Sequence, residues 1–301
     1  MGLQYAIDGV PLDSEHCAVT LGSSIMSGIS VSRSPVQVPG AHGSIKSMLN
    51  PVFAERELTL KVTPWGPDST GADSSRIARL CASPHPVITR VMEGISQQAE
   101  AELSSLQADD GGTVLGRVVP FTAVFAIPGV WWRGSMTQDL QLPSTGGLIY
   151  QGVEQFAKTD TDPGYRTMWD GMPDNSTSIL FDRVSDGMFS DAPIPDLLLR
   201  MPKGVTSVAI TDPVSGTGIT WTGAADASRY LYVDAASQSA WRSASADAWA
   251  PASPDASNGV DWPPDGPLEC WPNPIDGSYR LVAQITGSTD PMVVHVLPSW
   301  W

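Results

Sequence analysis

The chain has 301 residues, 42% hydrophobic and only 16% charged. That is enough apolar material for two cores at about 150 residues each. Its 28 glycines and 26 prolines exclude long helices and favour short strands joined by turns. With 32 acids against 17 bases the net charge is −15, which excludes conventional binding to phosphate backbones. No run of roughly 18 apolar residues is present, so no membrane-spanning helix is expected. Met1 to Asp8 carry neither a basic n-region with an apolar core nor a myristoylation pattern.

The opening predicts strands and turns. Tyr5, Ile7, Val10 and Leu12 surround Asp8-Gly9, a hairpin dipeptide. Ile29, Val31, Val36 and Val38 follow, broken by Pro35, and Pro39-Gly40-Ala41-His42-Gly43 forms a rigid turn. Residues 55–63 alternate, with Leu58, Leu60 and Val62 on one side and Thr59, Lys61 and Thr63 on the other. This is a half-exposed strand ended by Pro64. A helix over 74–82, capped by Asp73 or Ser74, places Ile77, Leu80 and Cys81 on one face.

Residues 91–107 carry two patterns at once. Ile95, Ala99, Leu103 and Leu106 fit a helix, while Ala99, Ala101 and Leu103 alternate with Gln98, Glu100 and Glu102 as in an edge strand. Periodicity alone does not choose between them. An apolar stretch over 114–126 then reads as strand, closed by Trp131-Trp132-Arg133-Gly134.

From 141 to 190 the pattern weakens, and Asp, Gly, Pro and Thr crowd residues 159–177, predicting an irregular connection. Regular strands are predicted at 197–201, 205–210, 219–222, 230–234, 279–285 and 292–297, the spacing of an all-β sandwich. Residues 236–278, rich in Ala, Ser, Pro and Asp, read as a surface loop. The acidity is uneven. Residues 1–140 carry nine bases and thirteen acids, whereas 141–301 carry eight and nineteen, together with eight of the eleven tryptophans.

Catalytic templates find no purchase. Cys17, Cys81 and Cys270 form no C-x-x-C pair and read as buried thiols of a reducing compartment. His16, His42, His85 and His295 have no metal-ligand spacing, and buried or turn positions account for them. There is no G-x-S-x-G elbow, P-loop or dinucleotide fingerprint. Carboxylates are abundant enough for chance pairs, which alone do not make a glycosidase. No catalytic residue, cofactor or metal is assigned. Trp241, Trp249, Trp262 and Trp271 are candidate glycan or partner contacts, because aromatics in an irregular stretch can stack on sugars. Core edge packing is the plainer account of them. The pairs Trp131-Trp132 and Trp300-Trp301 read as packing or assembly surfaces.

In sequence order these features resemble the distal tail protein (Dit-like) family of long-tailed bacteriophages. The first half contributes Tyr5 to Leu12, the 39–43 turn, the 55–63 strand, the 74–82 helix and Trp131-Trp132. The second half contributes Asp191-Ala192-Pro193-Ile194-Pro195, the strands at 197–201 and 205–212, Ser215-Gly216, and Tyr230-Leu231-Tyr232-Val233-Asp234. The resemblance implies an all-β chain with minor α content. Residues 1–140 would be a ring-forming β-sandwich or barrel domain with one short helix, 141–190 an irregular connection, and 191–301 a galectin-like β-sandwich. It also favours the strand reading of 97–107. The long 141–190 segment and the 236–278 insertion depart from a minimal galectin-like fold.

The resemblance further implies a structural, non-enzymatic homo-hexameric ring at the virion tail tip, assembled in the host bacterial cytoplasm. The ring would join the tail tube protein to the tip hub and tape measure proteins, without membrane insertion or specific DNA binding. Six copies at −15 sum to −90, a charge that repels a passing genome. Open strand edges could be paired by neighbours, placing oligomer contacts at Pro39, Gly40, His42, Gly43, Leu58 and Leu60. The alternative is a carbohydrate- or receptor-binding module of a tail or adhesin. A glycan hydrolase ranks behind both.

Overall fold

The structure is a computed structural model. It describes residues 4–14, 17–20, 22–24, 28–32, 39, 42, 50–64, 71–92, 94–108, 120–135, 137–142, 145–151, 177–181, 190–263, 266–275 and 279–301. Two compact units emerge, Met1–Ser135 with Trp301, and Met136–Trp300. Almost every described element is a strand.

In the first unit the strands are β1 (Gln4–Ile7), β2 (Val10–Pro11), β3 (Cys17–Val19), β4 (Val31–Ser32), β5 (Val52–Phe53), β6 (Arg56–Pro64), β7 (Val87–Met92), β8 (Ile95–Glu100), β9 (Glu102–Ala108), β10 (Phe121–Ile127) and β11 (Trp132–Gly134). Helix α1 (Gly71–Cys81) lies between β6 and β7. Asp8 and Gly9 both have positive φ, 48° and 74°, so the β1–β2 turn is the primed type that matches strand twist. Asp8 Oδ1 also accepts the Val87 amide at 2.9 Å, tying the turn to β7.

One sheet runs β2-β1-β7-β8-β11 and another β3-β6-β10-β9. Among the described residues neither closes on itself, which makes a sandwich of open sheets and not a barrel. The alternation predicted for 55–63 appears as β6, whose Leu58, Leu60 and Val62 are fully buried. They pair across with Phe125, Ala123 and Phe121 of β10. Each such leucine contributes roughly 1.5–3 kcal/mol by leaving water. Helix α1 starts earlier than predicted, so Asp73 and Ser74 lie within its first turn and do not cap it.

The strand reading of 97–107 is correct, with one break. Ala101, buried and donating its amide to the Pro86 carbonyl at 3.0 Å, separates β8 from β9. β8 pairs with β7 and β9 with β10, so the chain changes sheets at that alanine.

The second unit contains β12 (Gln138–Leu142), β13 (Thr145–Gln151), β14 (Thr177–Phe181), β15 (Leu198–Met201), β16 (Ser207–Thr211), β17 (Gly218–Thr222), β18 (Tyr230–Asp234), β19 (Ser239–Ser243), β20 (Val260–Asp261), β21 (Tyr279–Thr286) and β22 (Met292–Val296). They form sheets β12-β22-β15-β18-β19 and β14-β13-β21-β16-β17-β20. Between them lies an apolar core that includes Leu199, Val208, Ile210, Leu231, Val233, Leu281 and Val294. Gly287, at φ 97°, admits no side chain, because a Cβ would sit 2.5 Å from the Gly204 carbonyl oxygen.

Two sequence expectations are corrected here. The segment 141–190, read as an irregular connection, contributes strands: β12 pairs with β22, β13 with β21, and β14 runs parallel to β13. Only three β-prone residues in a row, Leu148-Ile149-Tyr150 and Ile179-Leu180-Phe181, mark β13 and β14, too short a signal to stand out beside Gly146, Gly147 and the polar stretch between them. The stretch 236–278, read as a surface loop, contains a paired strand, β19, whose Ala240 and Trp241 are buried. Its hairpin turn is held by the Asp234 carboxylate, which accepts the Ala236 and Ser237 amides at 3.0 and 3.1 Å. Farther on, Leu268 and Cys270 are fully buried, and Cys270 exchanges backbone bonds with Ile194.

Candidate functional site

The residues proposed as oligomer contacts differ in exposure. Pro39 and His42 are exposed, while Gly40 and Gly43 lie outside the described residues. Leu58 and Leu60 point into the core of the first unit, where burial leaves them no side-chain surface to offer a neighbour. Nor is β6 an edge strand. β10 occupies one side, and on the other Thr20 and Ser24 donate their amides to the Lys61 and Thr59 carbonyls at 2.9 and 2.8 Å. The outermost described strand of that sheet is β9, whose residues are exposed or half buried, with Leu106 37% exposed.

A second feature of the first unit is Arg90, which is almost wholly buried. It stands opposite Tyr5 in the β1–β7 register and lies 4.3 Å from the Trp132 ring centroid. Its Nε donates to Gln97 Oε1 at 2.6 Å and a terminal nitrogen donates to the Trp301 main-chain oxygen at 2.7 Å. The Trp301 indole completes an edge-to-face cluster with Phe53 and Trp131. Burial pushes the Tyr5 hydroxyl pKa up, partly offset by the Arg90 charge. This is the packing role expected for Trp131 and Trp301.

In the second unit the four candidate tryptophans separate. Trp241 is buried and stacks on Tyr232 with centroids 5.6 Å apart and planes 4° from parallel. Trp262 packs against the sandwich core, and Trp271 Nε1 donates to Glu269 Oε2 at 3.1 Å. Only Trp249 joins Trp241, through Tyr232, on the outer face of the β12-β22-β15-β18-β19 sheet. It meets Tyr232 edge-on and stacks on His295 with centroids 4.4 Å apart.

The sheet register explains this gathering. Arg200 opposes Tyr232, Tyr232 opposes Trp241, and His295 opposes Leu198, so all face away from the core that Leu199, Val233 and Val294 fill. The irregular segment after β19 lies across that face and is fastened to it. Trp241 Nε1 donates to the Ala248 carbonyl at 3.0 Å, the Tyr232 hydroxyl to that of Ser245 at 2.8 Å, and Arg200 to that of Ala246. Desolvation raises the Tyr232 pKa, with the Ala248 amide and Arg200 acting against it. His295 Nδ1 lies 2.6 Å from Asp139 Oδ1.

Sequence reasoning passed over the cations of this face. Arg200 lies 5.3 Å from the Tyr230 ring centroid and 5.6 Å from that of Trp249, and Lys203 Nζ lies 4.7 Å from Tyr230. The signal was available. Tyr230 and Tyr232 are two apart, and Arg200 alternates with buried Leu199 and Met201.

Buried polar groups elsewhere serve the scaffold. The Tyr279 hydroxyl donates to the Ala192 carbonyl at 2.8 Å beside Ser190, and burial drives its pKa upward. Asp212 anchors the β16–β17 turn by accepting the Ser215 amide at 2.7 Å. Burial raises its pKa, while the Ser215 hydroxyl and the amides of Ser215, Trp271 and Val214 pull it down. Cys17, Cys81 and Cys270 are buried and form no disulfide, and burial raises the pKa of Cys81 to about 11. Among the described residues no cluster of His, Cys, Asp and Glu could hold a metal ion.

Two open-sheet sandwiches joined in one chain, with a single short helix in the first, is a fold with a solved counterpart. It is the fold of a phage Dit protein. The match is to SPP1 Dit (gp 19.1), described as a paradigm of the hub adsorption apparatus in phages infecting Gram-positive bacteria. It spans 100% of both chains at TM-score 0.53 and 12% identity. The phage P2 baseplate in its activated conformation matches more remotely, with TM-score 0.37 at 12% identity for the form with Ca and 0.37 at 10% for that with Sr. Those alignments cover 99% and 98% of this chain, and 98% of the other chain in each case. No family model and no curated protein matches the sequence.

Proposed function

We propose that this chain is a structural, non-enzymatic protein of a bacteriophage distal tail. In this reading six copies form a ring that joins the tail tube to the tip hub and lets DNA pass. The supporting observation is the end-to-end likeness of both units to SPP1 Dit, with no unmatched half in either chain. Net acidity fits the reading, because a charge of −15 per copy disfavours adsorption of the genome. The exposed β9 edge and the exposed Pro39 and His42 are the places where neighbours would meet, since an unpaired strand edge is a template for another chain. The solution mass tests the ring. Light scattering over a concentration series should give six times 31.9 kDa, alone or on addition of a tail-tube ring. A monomer that ignores the tube ring overturns the proposal.

The alternative, carbohydrate or receptor binding, keeps one observation in its favour. Trp249 remains half exposed beside Arg200 and His295 on the outer sheet face.

A further inference from the structure

In residues 141–301 acids outnumber bases nineteen to eight, so a cation there would be expected to find a carboxylate. Arg242 does, at 3.8 Å from Asp226, and it also donates to the Ala224 carbonyl. Arg200 and Lys203 do not. Among the described residues neither has a carboxylate within ion-pair distance, and the Tyr230 ring lies between 4 and 6 Å of both. Two like charges gathered on one ring repel each other unless an anion lies between them.

Among the described residues, three acids of this sheet and its turns are engaged elsewhere. Asp139 holds His295, Asp234 is spent on the β18–β19 turn, and Asp226 takes the Ser228 hydroxyl and amide along with Arg242. Asp247 lies on the covering segment and is exposed. The cations are also held in place. Ring contacts to Tyr230 and Trp249, and the Ala246 carbonyl on Arg200, restrict two side chains that would otherwise lose rotamer entropy on binding.

We propose that this face, formed by Arg200, Lys203, Tyr230 and Trp249, binds a glycan bearing isolated anionic groups, uronate or phosphate. The anion sits between Arg200 and Lys203, and the sugar ring beside it rests against the half-exposed edges of Tyr230 and Trp249. A duplex carries one charge per about 1.7 Å and meets the repulsion of the whole acidic chain. A glycan with one charge per sugar or fewer presents only what two cations can neutralise. An acidic peptide would use the cations and leave the rings idle.

The proposal rests on the carbohydrate-binding reading and is independent of the ring. Its test is NMR titration of the full chain with uronate- and phosphate-bearing oligosaccharides, a neutral oligosaccharide of equal length, and an oligoglutamate. At least one anionic glycan should bind tenfold or more tighter than both controls. Lys203→Glu should weaken that binding at least tenfold with an unchanged melting profile, and Trp249→Ala should weaken it at least tenfold while the chain still unfolds in a cooperative transition. Oligoglutamate binding as tightly as the glycan overturns the proposal, because charge alone would suffice. Neutral glycan binding equally well overturns it but leaves carbohydrate binding standing. If no oligosaccharide, anionic or neutral, binds at millimolar concentration, both fall.

Discussion

Arg90 in the first unit and Arg200 in the second both lie over an indole, 4.3 and 5.6 Å from its centroid, yet the two have opposite roles. Arg90 is shut away from water, and its donors are met by Gln97 and the Trp301 main chain. Arg200 is half exposed, donates to the Ala246 carbonyl and the Tyr232 hydroxyl, and has no carboxylate partner among the described residues. A buried guanidinium must be satisfied internally or the fold fails. A half-buried one can keep donors for something outside. The contrast teaches that a cation–ring contact does not itself mark a site; its unspent valences do.

The largest effect should follow breaking the satisfied member. Arg90→Ala strands Gln97 Oε1 and the Trp301 oxygen and opens a gap under Trp132. We expect a loss of about 3–5 kcal/mol, read by chemical denaturation of the first unit. Arg90→Lys should recover only part of it, since an ammonium cannot reproduce the planar fork. A cost below about 1 kcal/mol would mean that the buried cation is incidental.

Trp241→Phe comes next. The aromatic stack on Tyr232 survives, but the bond to the Ala248 carbonyl is lost and the covering segment loses one fastening. The expected cost is about 1–2 kcal/mol, with faster limited proteolysis over residues 244–256. Unchanged proteolysis would show that Tyr232 and Arg200 alone hold that segment down.

A buried charge of the opposite sign sharpens the comparison. Where Arg90 is satisfied, Asp212 is held in a setting whose desolvation outweighs its donors, so its folded pKa lies above the ordinary 3.8. The native state therefore keeps a proton that the unfolded chain has released. Stability from this group is fully present below about pH 4 and falls as pH rises through the folded pKa. Asp212→Asn keeps an acceptor for the Ser215 amide and removes that dependence. Against wild type, the Asn variant should gain stability as pH is raised from about 3 to 8, most steeply just above the unfolded value. A difference that does not vary with pH would show that the turn's donors fully offset burial.

Much of the scaffold is legible because alternation and turn chemistry are local. Leu58, Leu60 and Val62 announce β6, and Asp8-Gly9 announces its hairpin. Legibility ends where the partner decides. Ala101 carries no mark of the sheet change it makes, and Ser239-Ala240-Trp241 reads as loop until β18 pairs with it. The site was half visible. Four tryptophans looked alike in sequence, and only the register shows that Trp241 is roofed over while Trp249 forms part of the roof. The cations escaped notice because each is alone in its strand and gains meaning only beside Tyr230.

The smallest expected effect closes the comparison from the other side. Arg200→Gln removes a charge that neighbours two rings, but the exposed Ala246 carbonyl it releases can turn to water and the Tyr232 hydroxyl keeps Ser245 and Ala248 as partners. A half-exposed cation–ring contact is worth about 0.5–1 kcal/mol, and the relief of repulsion toward Lys203 partly cancels it. Denaturation should therefore shift by about 0.5 kcal/mol or less, far below the Arg90→Ala loss. If the two arginine variants cost the same, Arg200 is structural like Arg90, its donors are not free for a ligand, and the outer face becomes a second scaffold contact.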